Sequence, residues 1–177
     1  TQAFSKIKKE FSRYFSILFE GGKAELTEVY SAPDETPVET EEGGEEVAET
    51  APGKTKILTG IEVTACPPGK KITNLAALSG GERTLTSIAL VCAILHTNPP
   101  PFVFLDEVDA ALDEANTLRF SRMLHELATR SQFILITDDR TTMHAADVLY
   151  GVTMGNDGVS RLVSVNMTEA AQATAPA

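Results

Sequence analysis

Two short stretches of this 177-residue sequence hold residue types that could do chemistry together. The first is Ser79-Gly80-Gly81-Glu82. A serine followed three residues later by glutamate is a capping box, in which each side chain bonds a free backbone N–H at a helix start. That alone is a sufficient structural reason for both residues. The paired glycines admit a further use. They let a ligand approach the backbone closely, and the free N–H groups and dipole of a helix start attract an anion such as phosphate. The second stretch is Asp106-Glu107, directly after the apolar run Phe102–Leu105. In a parallel sheet, ligand sites lie beyond the carboxyl ends of the strands. Adjacent carboxylates there are costly unless they meet a cation or a proton-transfer task. An aspartate can hold Mg²⁺ directly or through water, and a neighbouring glutamate can deprotonate an attacking water. The alternative is that both acids only cap the segment that follows.

The surrounding elements must hold these residues in place. Phe4, Ile7, Phe11, Tyr14, Phe15 and Leu18 recur at helical spacing, so 3–19 reads as an amphipathic helix, ended by Gly21-Gly22. Lys23–Tyr30 reads as a strand, and alternating Ile61, Val63 and Ala65 mark a second strand that pairs back on it. Leu85, Ile88, Ala89, Cys92 and Leu95 place a helix over about 81–96, directly after the capping box. Phe102–Leu105 and Phe133–Ile136 read as buried parallel strands, joined by a helix over 114–129 with Leu118, Phe120, Leu124 and Leu127 as its apolar set. A short helix at 141–147 and a hairpin of Val148–Met154 and Val159–Asn166, turning at Gly155–Gly158, complete the order. The expected fold class is α/β: a mostly parallel sheet flanked by helices, plus an antiparallel lobe from 23–30 and 57–66.

Bulk composition narrows the partners. The net charge is −10, but eight of the 25 acidic residues lie between Pro33 and Gly53 with no basic residue among them. That stretch, 33–54, has almost no core-forming residues and is expected to be a disordered acidic insertion. The rest is nearly balanced against 15 basic residues, so no basic block by itself points to nucleic acid. No apolar run approaches the roughly 20 residues of a membrane span, so no membrane is expected. No signal peptide opens the chain, and a first residue of Thr reads as a piece of a longer product. Cys66 and Cys92 are far apart and read as free thiols of a reducing cytoplasm. His96, His125 and His144 form no metal-ligand pattern.

The order Leu78-Ser79-Gly80-Gly81-Glu82, Asp106-Glu107 and Asp109-Ala110-Ala111-Leu112-Asp113 resembles the signature motif, Walker B with catalytic glutamate, and D-loop of ABC ATPases. The flanking text at 67–95, 101–116 and 146–167 resembles the C-terminal half of the head of bacterial-type structural maintenance of chromosomes (SMC) proteins. The resemblance covers about 1–30 and 57–167. It implies an ATPase of chromosome condensation and segregation, cytoplasmic and nucleoid-associated, with ATP and Mg²⁺ as ligands. It implies that Ser79, Gly80, Gly81 and Glu82 face the γ-phosphate of ATP held by a second head, and that Asp106 serves Mg²⁺. Glu107 is then the general base, and Asp113 sits at the head–head interface. Residues 1–20 would end the returning coiled-coil arm, 21–167 would form the C-terminal lobe of the head, and 168–177 a frayed tail. The implied partners are the N-terminal Walker A half of the same head, a second SMC head, the winged-helix domain of a kleisin subunit, and DNA.

Three departures qualify the resemblance. No segment fits the phosphate loop Gly-x-x-x-x-Gly-Lys-Ser/Thr, so the chain alone is expected to be inactive toward ATP. The 33–54 insertion is the second. The third is Thr137-Asp138-Asp139-Arg140, where the family has Thr-His and the histidine senses the γ-phosphate. A carboxylate at 138 repels phosphate unless a cation intervenes. Two rivals stay open: a degenerate, non-hydrolysing head kept as a kleisin platform, and the head of another coiled-coil ABC ATPase of DNA repair.

Overall fold

A computed structural model of the chain describes residues 2–31, 57–71 and 75–167. The acidic stretch 33–54 and the tail 168–177 lie outside the described residues. Helix α1 (Gln2–Leu18) runs first. Its apolar stripe turns Phe11, Tyr14, Phe15 and Leu18 fully into the core, while Phe4 and Ile7 are half-buried. Removing such side chains from water stabilises by about 1.5–3 kcal/mol each. The helix ends where Glu20, Gly21 and Gly22 take positive φ values of 54°, 132° and 78°, and the Gly21 N–H reaches back to the Ser16 carbonyl at 2.8 Å. A side chain at Gly22 would put its Cβ 2.6 Å from the Cys66 carbonyl oxygen.

Strands β1 (Lys23–Ser31) and β2 (Ile57–Cys66) pair antiparallel, Lys23 opposite Cys66. Ala24, Leu26 and Ala65 close over the core. Ile61, expected on the same inward face as Val63 and Ala65, is 53% exposed. The ribbon outruns the core there, for Val29, Tyr30, Ile57 and Leu58 are exposed with it. A single 3-10 turn (Leu75–Ala77) leads into α2 (Gly80–Thr97), which packs on α1 through Leu85, Ile88, Ala89, Cys92 and Ala93.

Strand β3 (Phe102–Asp106), helix α3 (Glu114–Ala128) and strand β4 (Gln132–Ile136) form the parallel unit, with Asp106 opposite Ile136. One expectation is corrected here. The strands are not buried on both faces: Leu105, Phe133 and Leu135 pack on the core and Val103 is half-buried, but Phe102, Phe104 and Ile136 are more than half exposed. A fully apolar run does not say how many of its faces are covered, and here one face lacks a covering layer among the described residues. The expected parallel pair and antiparallel lobe both form: among the described residues there are three two-stranded sheets, β3–β4 parallel, and β1–β2 and the C-terminal hairpin antiparallel. In α3, Leu118 points outward and Thr117 is buried in its stead. Thr117 is satisfied because its hydroxyl donates to the Asp113 carbonyl.

Helix α4 (Arg140–His144) is shorter than the expected 141–147. Strands β5 (Val148–Met154) and β6 (Ser160–Asn166) form the expected hairpin, with Met154 opposite Ser160. Its apolar residues Tyr150, Val152, Met154 and Leu162 are all exposed. Polar ties complete the frame around α1. Arg13 grips both carboxylate oxygens of Glu126 at 2.8 Å and Glu10 at 3.1 Å, and Tyr14 Oη shares a proton with His96 Nδ1 at 3.0 Å. Burial pushes the Tyr14 phenol and the Cys92 thiol each up to about 12. No described helix is long and apolar enough to cross a membrane.

Candidate functional site

The turn before α2 forms the capping box its sequence announces. Ser79 is the N-cap, with φ −63° and ψ 164°. Its hydroxyl accepts from the Glu82 N–H at 3.3 Å, and Glu82 Oε2 accepts from the Ser79 N–H at 2.9 Å. A third partner was missed in the sequence. Lys70, just beyond β2, places its ammonium 2.6 Å from Glu82 Oε1. These bonds, Lys70 first and the Ser79 N–H second, hold the Glu82 carboxyl down at about 2. Its signal in the sequence was only a lysine after Pro67-Pro68-Gly69.

Among the described residues nothing requires glycine at 80 or 81: neither has positive φ, and a Cβ at either would meet no described atom within 4 Å. Ser79, Gly80 and Gly81 are all exposed. The helix start thus presents bare backbone outward.

At the carboxyl end of β3, Asp106 and Glu107 are both exposed. Glu107 has φ 46°, the left-handed region that a non-glycine residue occupies at a cost of about 1–3 kcal/mol. Its N–H is fixed by the Ile136 carbonyl of β4 at 2.9 Å. A single carboxylate at Asp106 suits Mg²⁺, which keeps several waters and takes one or two carboxylates beside substrate phosphates. No group of three or more metal-ligating side chains occurs among the described residues.

Past Glu107 the chain turns twice, Ala110 N–H to the Glu107 carbonyl at 3.2 Å and Leu112 N–H to the Asp109 carbonyl at 2.9 Å. Asp113 then caps α3, accepting from the Asn116 N–H at 2.8 Å. After β4, Asp138 is exposed, while Asp139 caps α4 by accepting from the Thr141 and Thr142 N–H groups at 2.8 and 3.0 Å. Arg140 and His144 are exposed on α4. The β3–β4 pairing therefore brings Asp106, Glu107 and Asp138 to the carboxyl end of the two strands, while Asp113 stands apart at the start of α3. Among the described residues, no hydrogen bond or ion pair joins them to the Ser79–Glu82 turn.

One near-match to a phosphate loop also escaped the sequence reading. Gly53-Lys54-Thr55 has the motif's ending, but Ala48 stands at its first glycine and Glu49 lies within it. Strand β2 follows at Ile57, where a phosphate loop requires a helix.

A family model described as the RecF/RecN/SMC N terminal domain matches residues 5–161. The chromosome partition protein Smc of Bacillus subtilis (strain 168) is 45% identical over 166 residues, covering 94% of this chain and 12% of that protein. This chain thus spans about an eighth of such a relative. A crystal structure of an Smc head bound to the C-winged helix domain of ScpA superposes with a TM-score of 0.74 at 36% identity, over 96% of this chain and 45% of the other. A structure from work on ATP-driven dimerization and DNA-stimulated activation of SMC ATPases gives a TM-score of 0.70 at 34% identity, over 97% and 91%. The α/β arrangement is that of the ABC-type heads of SMC ATPases. With most of its length matched by the family model and by these relatives, the chain belongs to the RecF/RecN/SMC family.

Proposed function

We propose that this chain is the C-terminal half of an SMC-type ATPase head, which hydrolyses ATP held between two heads and couples it to chromosome organisation. The observation that carries the reading is the bare pair Gly80-Gly81. Nothing among the described residues calls for glycine there, which fits a demand set by a body that approaches the helix start. An ATP phosphate on a second head is such a body.

The matching family model bears the words N terminal in its description. The C-terminal placement rests on the residues instead: signature turn, Asp106-Glu107 and D-loop are present in that order, and no complete phosphate loop is. The N-terminal half would supply that loop and a layer over the sheet face that bears the exposed Phe102, Phe104 and Ile136.

In this reading Ser79, Gly80 and Gly81 contact the γ-phosphate of the other head's ATP, and Glu82 braces their turn. Asp106 would hold Mg²⁺, which when bound with ATP neutralises charge on the phosphate oxygens. Glu107 takes the proton from the attacking water, help typically worth about 10²–10⁴-fold. Asp113 lies at the head–head contact. Helix α1 is the end of the returning coiled-coil arm, and the exposed β5–β6 hairpin is the seat of a kleisin winged-helix domain. That last partner is supported by the ScpA domain bound to the related Smc head. DNA as a further partner, and a place in the cytoplasm on the nucleoid, belong to the same reading and fit relatives named as chromosome partition proteins.

Calorimetry with Mg·ATP tests the half-site claim. The segment alone should show no micromolar binding, and the full-length protein should. Micromolar binding to the segment alone would contradict it. A second reading, a head that no longer hydrolyses and serves as a kleisin platform, is favoured by Asp138 at the sensing position. Steady-state ATPase of the full-length protein, unchanged by Glu107→Gln, would select it.

A further inference from the structure

Asp109 is 4% exposed, a carboxylate buried beside the exposed acids of the site. It belongs to neither the metal nor the base role. Its Oδ2 accepts two hydroxyl bonds, from Thr137 at 2.7 Å and from Thr142 at 2.5 Å. Those donors lie 28 and 33 residues away in sequence, on the far side of β4. Thr142 is itself buried at 4% exposure. The Asp139 N–H donates to Thr137 Oγ1 at 2.9 Å, so the same hydroxyl that binds Asp109 also shapes the turn around Asp138. Among the described residues both bonds to Asp109 Oδ2 come from hydroxyls, and a buried carboxylate held by hydroxyls is costly to keep for stability alone.

We propose that Asp109 is a positioning residue that locks the D-loop to the turn after β4, so that Glu107, Asp113 and position 138 move as one body. The inference deepens the proposed function and rests on that reading. Asp109 is two residues past Glu107 and four before Asp113, and Thr137 and Thr142 bracket Asp138. The Glu107 N–H bond to the Ile136 carbonyl fixes one end of the loop. The two hydroxyl bonds fix its middle. Without them the loop carrying the base keeps its own turns and the packing of Val108 and Leu112 on the core, but loses its side-chain tie to the turn after β4, and the strained φ at Glu107 can relax. A displacement of about 1 Å in such a group costs up to about 10²-fold in rate.

The test is steady-state ATPase of the full-length protein carrying Thr142→Val, Thr142→Ser or Glu107→Gln, with Thr137→Val as a second variant should Thr142→Val melt early. The valine keeps the shape and removes the donor; the serine keeps the donor. The expected result is a kcat lowered at least about tenfold by the valine, a KM for ATP within about twofold of the parent because phosphate and metal contacts are untouched, and recovery of kcat with serine. Valine variants within twofold of the parent in kcat, alongside an inactive Glu107→Gln, would overturn the inference and leave the proposed function standing. Loss with valine that serine does not restore would overturn it too. Glu107→Gln with parental turnover would sink the proposed function, and this inference with it.

Discussion

The Lys70 ammonium and the Glu82 carboxylate meet at 2.6 Å, tying the end of β2 to the first turn of α2. Lys70 is itself held, its carbonyl accepting from the Cys66 thiol at 3.0 Å and its N–H bonding the Pro67 carbonyl at 3.2 Å. Gly22, at the entry to β1, lies against Cys66 from the other side. The end of α1, the ribbon and the Ser79–Gly81 turn thus form one connected path.

Glu82→Gln tests that path through pH. The Glu82 carboxyl is depressed to about 2 by Lys70 and the Ser79 N–H. A depressed carboxyl adds stability that is fully present above the unfolded value near 4.3 and is lost as pH falls through the folded value. Melting curves should show Glu82→Gln less stable than the parent at pH 7, by on the order of 1 kcal/mol, as for other helix caps. The gap should shrink from about pH 4 and close near the folded value of about 2. A gap constant from pH 7 to 3 would show that the ion pair and cap contribute no stability through charge.

The glycines separate structure from function. Gly22→Ala should destabilise by more than about 1 kcal/mol, since it adds strain at positive φ and a clash with Cys66. Gly80→Ala should be neutral or stabilising by up to about 1 kcal/mol, because alanine is the better helix former and the space is open. Its effect should fall on turnover of the full-length protein instead. Thermal melts and ATPase rates on both variants check this, and a Gly80→Ala protein with parental turnover would remove the reason given for that glycine.

Asp138→His is predicted to raise ATP hydrolysis in the full-length protein. Asp138 is exposed directly after β4, and the neighbouring Asp139 is the acid committed to capping α4. An imidazole can donate to a γ-phosphate, whereas an ionised carboxylate only repels it. A rate that stays level or falls would show that position 138 does not sense phosphate here.

Local chemistry was legible in the sequence wherever one short segment decides the outcome. The Ser79/Glu82 box, the stop at Gly21-Gly22 and the β5–β6 turn all formed as their residues require. The exposure of Phe102 and Phe104 was not legible, because it depends on which layers cover the strand rather than on the strand's own residues. Asp109 was hidden for a similar reason. In the run Asp106-Glu107-Val108-Asp109 three acids look alike, and only the distant hydroxyls of Thr137 and Thr142 single out the one that is buried. Lys70 reaches Glu82 across 12 residues that no periodicity links.

The central claim is that Asp106 and Glu107 divide the work of metal holding and proton removal at an ATP shared with the Ser79 turn of another head. Gln at 107 keeps the shape of the side chain but cannot take a proton, so ATP binding should survive while turnover falls by about 10²–10⁴-fold. The shared dimer should then accumulate. Arg at 79 should block approach to the other head's ATP. Sizing chromatography of the full-length protein's heads, released by proteolysis and run with ATP and Mg²⁺, measures both at once. The account predicts a stable ATP-dependent head dimer for Glu107→Gln and monomeric heads for Ser79→Arg; a monomeric Glu107→Gln head at saturating ATP, or a Ser79→Arg head that dimerises normally, would contradict it.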